Sequence, residues 1–226
     1  LDASGKTVAE TSSDCPAVTA PPWLGTQAGK AYVHDKFPAP WTLPSVNGSQ
    51  VQLIDKKIEF GAGGLPSSIS FNVSHDELLA GAATIRVNVD GVPLTFIGKN
   101  MQLQAEQAEV RVAASQQSGA VKLETKTRLE ADGFMEVKFR LLDVNPSRVS
   151  SVALEIPLKP ENANLLLHGP LVQKAAALTG NGFRDRADSL WLGTYDKGLQ
   201  FSYDTDTFVS RKLRQQLQIR QEQDRA

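Results

Sequence analysis

Alternating polar and apolar positions run through most of the chain from Gln50 onward. Residues 68–73 and 85–89 place an apolar side chain at every second position, and the same alternation continues in residues 110–112 and 121–129. Strict alternation is typical of a β-strand that buries one face. Together with shorter apolar segments it predicts about ten strands at spacings of about ten residues, which favours an antiparallel β-sandwich or barrel over a β-α-β arrangement.

Turn signals connect these strands. Asp90-Gly91 lies between two alternating segments, and Asp-Gly is a strong hairpin signal because both turn positions need positive φ. Pro93 lacks the N–H that a sheet ladder uses, so its strand is predicted at a sheet edge or beginning after it. A second tight turn at residues 131–133 precedes a strand over 134–141, and residues 61–64 (Gly-Ala-Gly-Gly) predict another turn.

Two segments are compatible with either helix or strand. Residues 104–109 are short and polar, and strand fits them as well as helix does. Residues 207–226 carry apolar side chains at steps of four, which is typical of helix, whereas residues 217–220 alternate, and we favour strand there. A further strand is predicted over residues 149–158. The predicted fold class is therefore all-β, an antiparallel β-sandwich with long Pro- and Trp-containing loops and little helix.

The N-terminal region differs in composition from the rest. Residues 1–20 are rich in Ser, Thr and Ala and predict a flexible lead-in segment. Residues 21–49 contain Trp23 and Trp41 among several prolines and glycines, and we expect an ordered loop held by the two tryptophans. We predict that residues 21–226 form a single β-sandwich domain.

Composition argues against several classes of function. The chain has 24 Lys and Arg against 25 Asp and Glu, a net charge of -1, so no electrostatic footprint for nucleic acid or an anionic membrane is present. No apolar segment approaches the roughly 18 residues of a membrane-spanning helix. The first residues have neither the basic nor the apolar region of a signal peptide. The single cysteine, Cys15, permits no disulfide within one chain.

The sequence contains no pattern typical of a catalytic site. Asp76-Glu77 is an adjacent acid pair, and paired carboxylates perform glycoside hydrolysis. However, neighbours in a strand point to opposite faces, so we favour a turn with solvated acids. His34, His75 and His168 lack metal-binding spacing, and no nucleophile elbow or phosphate-binding loop is present. We therefore expect no cofactor, no metal and no activity from this chain alone.

Aromatic residues in predicted loops and strand ends are the better binding candidates. These residues are Trp23, Trp41, Trp191 and Tyr195. The flat C–H faces of sugar rings stack on aromatic rings, and aromatic side chains are favoured anchors at protein interfaces. Packing of loops over the sandwich is the alternative role for the tryptophans. We predict that the four residues make carbohydrate or interdomain contacts.

Several short motifs follow one another in a particular order. They are Trp23-Leu24-Gly25, Phe37-Pro38-Ala39-Pro40-Trp41-Thr42, Gly64-Leu65-Pro66-Ser67-Ser68-Ile69, Glu77-Leu78-Leu79-Ala80, Glu130-Ala131-Asp132-Gly133-Phe134, Ile156-Pro157-Leu158, and Trp191-Leu192-Gly193 with Gly198-Leu199. None is specific alone. Their joint order resembles the N-terminal domain of glycoside hydrolase family 123 and its relatives over residues 22–206.

This resemblance implies a non-catalytic sandwich placed before a catalytic (β/α)-barrel. The family's barrel carries β-N-acetylgalactosaminidase activity, assisted by the substrate's own acetamido group and an Asp-Glu pair in the barrel. Asp76-Glu77 falls in the sandwich region and does not match that pair. The resemblance further implies that the barrel is absent from this chain, and it favours a periplasmic or extracellular location. If the family's sandwich continues past Ala226, an open sheet edge predicts self-association.

Three functions are consistent with these observations. The first is a sandwich that packs against and supports the barrel. The second is a stand-alone carbohydrate-binding module that uses an exposed aromatic platform from Trp41, Trp191 or Tyr195. The third is a structural or interaction domain without sugar contact. Buried tryptophans beside a large exposed apolar patch favour the first or third, and tryptophans in an open groove favour the second.

Overall fold

The computed structural model describes residues 3–6, 19–22, 24–25, 40–168, 171–174, 183–185, 189–202 and 217–219. The chain divides into two units, Leu1–Lys36 and Phe37–Ala226. The strands of the described residues belong to the second unit. In the ranges just given, no helix is long and apolar enough to cross a membrane.

The second unit is built from strands, which confirms the predicted all-β class. In chain order they are β1 (Ser45–Asn47), β2 (Gln50–Gln52), β3 (Lys56–Phe60), β4 (Pro66–Phe71), β5 (Thr84–Val89), β6 (Val92–Pro93), β7 (Ile97–Glu106), β8 (Glu109–Ser118), β9 (Val121–Glu130), β10 (Met135–Leu142), β11 (Val149–Glu155), β12 (Leu165–His168), β13 (Leu171–Lys174), β14 (Phe183–Asp185), β15 (Ser189–Gly193), β16 (Gly198–Ser202) and β17 (Leu217–Ile219). Short 3-10 helices lie at Pro146–Arg148 and Pro160–Asn162. The pairings between these strands are antiparallel.

Two layers enclose the core. One layer is the four-stranded meander β10-β9-β8-β7, and the other contains two smaller sheets, β1-β2-β3-β4 and β11-β5-β6. Val112 of β8 packs in a core cluster with Ile58 of β3, whereas Leu123 of β9 packs in a second cluster with Val87 of β5. The meander therefore covers both smaller sheets, and its alternating sequence follows from this arrangement because only one face is buried.

The glycine-rich turn at residues 61–64 is confirmed, and it packs against the inner face of the meander. Gly64 has a φ of +73°, and a Cβ added there would lie 2.8 Å from the Cβ of Ala114. The Thr127 hydroxyl donates a hydrogen bond of 2.7 Å to the Gly64 carbonyl oxygen. The turn needs glycine at this position for both its backbone conformation and its close approach to β8.

The hairpin predictions agree with the structure. Asp90 and Gly91 have φ of 52° and 79°, and they connect β5 to β6. β6 is two residues long and lies at a sheet edge, as Pro93 predicted. Residues 104–109 belong to β7, β8 and the turn between them, so the helical alternative is wrong there. The expected strand near residue 217 is β17, and β11 ends at Glu155, before the predicted end at residue 158.

A further sheet, in the order β13-β12-β15-β16, follows the sandwich in the chain. Leu166 of β12 and Leu190 of β15 are buried, and Leu199 of β16 packs against the first core cluster. This contact attaches the β15–β16 hairpin to the sandwich and positions the loop between its two strands, residues 194–197.

Candidate functional site

Three loops enclose an open polar cleft of about 380 Å³. The first loop follows β4, the second contains the 3-10 helix Pro160–Asn162, and the third connects β15 to β16. The residues that line the cleft are His75, Asp76, Glu77, Lys159, Glu161, Asn162, Thr194, Asp196 and Lys197. Loops on a rigid β-scaffold are a common location for binding sites.

An ion pair joins the first loop to the third across the cleft. The Lys197 ammonium donates to the Asp76 carboxylate, and the Lys197 side chain is only 15% exposed, whereas that of Asp76 is 46% exposed. The hydrogen bond from Lys197 lowers the pKa of Asp76, and the same bond raises the pKa of Lys197. Both groups are therefore charged at neutral pH, and they hold the hairpin loop against the sandwich.

Glu77 is fixed by three hydrogen bonds to its carboxylate. The Ser68 hydroxyl donates one, and the backbone N–H groups of Ile69 and Leu79 donate the others at 2.8 and 2.9 Å. Burial raises the pKa of Glu77, but these three bonds outweigh it and the pKa lies below its ordinary value. Our interpretation of Asp76-Glu77 as a turn with solvated acids is therefore wrong in one respect, because Glu77 is bound to the protein's own donors.

Asn162 ties the second loop to the first. It is buried, and its side-chain amide donates a hydrogen bond of 2.8 Å to the Glu77 carbonyl oxygen. The Lys159 backbone N–H donates to the Leu78 carbonyl oxygen at 3.1 Å. Both sides of the cleft are thus connected through the backbone of residues 77 and 78, which makes the cleft a preformed feature of the fold.

The charges of the cleft argue against acid–base catalysis. Four carboxylates and two ammonium groups line it, so carboxylates outnumber ammonium groups by two. The pKa values of Asp76, Glu77 and Asp196 are all lowered, the last by a hydrogen bond from the Thr194 hydroxyl. A general acid in glycoside hydrolysis needs a raised pKa. Among the described residues, no group of three or more His, Cys, Asp or Glu could hold a metal ion.

The candidate aromatic residues have different environments. Tyr195 is 97% exposed and lies between Thr194 and Asp196, both of which line the cleft. Trp41 is 41% exposed and lies just before β1. In the sequence it is distant from the residues that line the cleft. Trp23 lies outside the described residues. Among the predicted contact residues that the structure describes, Tyr195 is thus the one whose neighbours in the sequence line the cleft.

Trp191 covers the backbone of its own hairpin. It is half-buried in β15, where Gly193 pairs with Gly198 of β16. A Cβ added at Gly193 would lie 2.5 Å from an atom of the Trp191 ring, and one added at Gly198 would lie 2.6 Å from two ring atoms. The indole therefore occupies the space that side chains at both glycines would fill, which explains physically why this tryptophan and these glycines occur together.

Two edge strands that border the second core cluster, β10 and β11, each carry one exposed large apolar residue, and we call this pair the apolar seam. Phe139 of β10 pairs with the buried Thr125, and Val152 of β11 pairs with the buried Val87, so both side chains are on inward faces. Phe139 is nevertheless 36% exposed and Val152 is 40% exposed. Val137 and Leu154, on the same two strands, pack against the cluster below them. The seam is defined here by Phe139 and Val152.

Sequence reasoning did not predict most of the cleft. Lys159, Asn162 and Lys197 are distant from Asp76 in sequence, and no local pattern connects them. One weak signal was available, because the loop at residues 194–197 lies between Trp191-Leu192-Gly193 and Gly198-Leu199 and could have been identified as a hairpin loop with an exposed tyrosine.

Residues 45–217 match the family model described as "Glycoside hydrolase 123, third domain". A search of curated proteins found no match.

Proposed function

Since the chain belongs to glycoside hydrolase family 123, we propose that it is a non-catalytic domain that packs against and supports a catalytic barrel. The match over residues 45–217 carries this proposal, because it identifies an accessory domain of a glycoside hydrolase family protein. It confirms the family that the sequence motifs indicated. Its description names a third domain, where the motifs indicated an N-terminal one.

The chemistry of the described residues supports a role without catalysis. The carboxylates of Asp76 and Glu77 are held in an ion pair and in hydrogen bonds to the fold, and both have lowered pKa values. Neither is available as a proton donor at neutral pH. The activity of the whole protein, which we propose to be β-N-acetylgalactosaminidase, is therefore assigned to the barrel.

The apolar seam is the proposed contact surface for the barrel. Phe139 and Val152 border the second core cluster, so a partner that covers them would extend an existing core. The opposite face of the meander is charged, with Arg111 and Arg128 in salt bridges to surrounding glutamates. Apolar side chains gain more than charged ones when water is removed, which favours the seam for packing.

Separate production of the two parts tests the proposal. The 226-residue chain is mixed with the catalytic barrel of the protein that carries this domain, and sedimentation velocity measures whether a complex forms. We expect a complex, a higher melting temperature for the barrel within it, and hydrolysis of a nitrophenyl N-acetyl-β-galactosaminide by the barrel but not by the chain.

Two variants on neighbouring residues locate the contact. Phe139→Ser changes the seam, and Arg140→Ser changes the opposite face of the same strand. We expect only Phe139→Ser to weaken the complex. Failure of the wild-type chain to bind the barrel, or hydrolysis by the chain alone, would overturn the proposal. A dimer of the chain in the absence of barrel would instead assign the exposed edge of β10 to self-association.

A further inference from the structure

We propose that the polar cleft beside Tyr195 binds a neutral saccharide of one or two rings. This inference goes beyond packing on a barrel, and the cleft residues and Tyr195 are distinct from the seam residues Phe139 and Val152. The volume of about 380 Å³ lies at the lower end of the roughly 300–1,000 Å³ typical of small-molecule sites, which suits a ligand of this size.

The lining groups match the hydrogen-bonding chemistry of a sugar. Each sugar hydroxyl both donates and accepts, so a site that binds it needs acceptors and donors in one place. Glu161 and Asp196 supply exposed carboxylate acceptors, and Lys159 supplies an ammonium donor. Asp76 and Lys197 already form an ion pair, and their remaining lone pairs and protons add to the same surface.

The net charge of the cleft selects against anionic ligands. Carboxylates outnumber ammonium groups by two among the lining residues. A sulfated or uronic acid sugar would place a like charge beside them, which is unfavourable in a partly enclosed site. A neutral sugar meets no such repulsion. Hydrogen bonds from its hydroxyl groups to carboxylates are stronger than hydrogen bonds to neutral acceptors.

Tyr195 is not itself a lining residue of the cleft, but its exposed ring belongs to the hairpin loop that lines one side of it. Its side chain is 97% exposed at the tip of the β15–β16 hairpin, and its neighbours on both sides line the cleft. The hairpin tip is fixed by the ion pair of Lys197 with Asp76, by a hydrogen bond of 2.7 Å from the Thr194 N–H to the Lys197 carbonyl oxygen, and by the cover of Trp191. A rigid loop of this kind presents an aromatic ring at a low entropic cost on binding.

Calorimetric titration of the full 226-residue chain tests the site. The probes are N-acetylgalactosamine and its β-linked disaccharide with galactose, with glucuronate as the anionic comparison. We expect saturable binding of the neutral sugars with a Kd of about 1 mM, a value reached by modest contacts, and at least tenfold weaker binding of glucuronate. A flat titration of folded chain, or equal affinity for glucuronate, would overturn the proposal.

Substitutions locate the bound sugar. Tyr195→Ala should raise the Kd about five- to tenfold, as expected when aromatic stacking is lost, and Tyr195→Phe should retain affinity. Glu161→Ala should raise it severalfold. Phe134→Ala, an exposed aromatic residue on the β9–β10 turn, serves as the control that leaves the Kd unchanged. Loss of affinity in Trp41→Ala but not in Tyr195→Ala would place the sugar elsewhere and contradict the assignment. The titration contains no barrel, so its failure is separate from failure of the packing proposal.

Discussion

The indole ring of Trp191 lies against the backbone of Gly198 on the neighbouring strand. A Cβ at Gly198 would be 2.6 Å from two ring atoms and 2.7 Å from the Leu192 carbonyl oxygen. Aromatic side chains packed over glycines in a sheet compensate for the contacts that glycine cannot make. Trp191, which we predicted as a sugar or interdomain contact, thus has a structural contact within its own hairpin.

Gly198→Ala is expected to loosen the β15–β16 hairpin. The added methyl group overlaps both the Trp191 ring and a backbone oxygen, and overpacking of this kind costs about 1–3 kcal/mol. Hydrogen exchange of the β15 and β16 amides and urea unfolding measure the effect. Gly81→Ala is the control, because its Cβ would meet only Pro157 at 3.6 Å. Equal protection of the hairpin amides in both variants would contradict this packing.

Gly64→Ala is expected to destabilise the sandwich through two separable effects. The residue has a φ of +73° and its new Cβ would lie 2.8 Å from that of Ala114. We expect a loss of about 2–4 kcal/mol in the free energy of unfolding from strain and overlap together. In the Ala114→Gly background the overlap disappears while the backbone strain remains, so the same substitution should cost about 1–2 kcal/mol. The double-mutant cycle in urea measures this difference, and a coupling energy of zero would argue against the contact.

We expect Glu77 to make the free energy of unfolding depend on pH in the acidic range. Its pKa in the folded protein lies below the ordinary 4.5, so the carboxylate stabilises the fold above pH 4.5 and this contribution is lost as the pH falls through the folded-state pKa. Glu77→Gln should lose about 1–2 kcal/mol at pH 7, since charge-assisted hydrogen bonds become neutral ones.

The pH dependence is measured by urea unfolding between neutral and acidic pH. The stability difference between wild type and Glu77→Gln should narrow toward low pH, because both side chains are then uncharged. Glu124→Gln, on the outer face of β9, is the matched control. A difference that stays constant across the range would show that the charge of Glu77 does not contribute.

Arg128 is expected to hold together the glutamates on the outer face of the meander. Its guanidinium lies 3.5 Å from Glu109 and 3.4 Å from Glu136, forms a further salt bridge with Glu130, and sits 5.7 Å from the centroid of the Phe134 ring. Arg128→Met keeps an apolar stem but removes the cation that three carboxylates share. Their mutual repulsion therefore increases, although Glu109 keeps Arg111 and Glu136 keeps Lys138.

The dependence of stability on salt concentration distinguishes repulsion between the carboxylates from a loss of packing. Arg128→Met should be less stable than wild type in dilute buffer, and the difference should shrink in about 1 M NaCl, where the Debye length falls to about 3 Å. Lys126→Met, on the same face of the same strand, should change stability less. A loss that does not respond to salt would assign the effect to packing instead.

The sequence predicted the secondary-structure elements more completely than the candidate functional site. Alternation identified β4, β5, β8, β9 and β10 because each turns one face toward the core, and Asp90-Gly91 identified its hairpin because both residues need positive φ. The cleft could not be predicted in this way. Lys197 and Asp76 meet through the docking of one hairpin on the sandwich, and a contact of that range leaves no periodic pattern in the sequence.

The large sequence separation between Lys197 and Asp76 has a consequence for the order of folding. β7 to β10 pair with their immediate neighbours in the chain, whereas Lys197 and Asp76 are 121 residues apart. Hairpins between adjacent strands close at low entropic cost, and long-range contacts form later and open more readily. The meander can therefore form before the hairpin docks, and a molecule whose hairpin has opened keeps its sandwich but has no cleft.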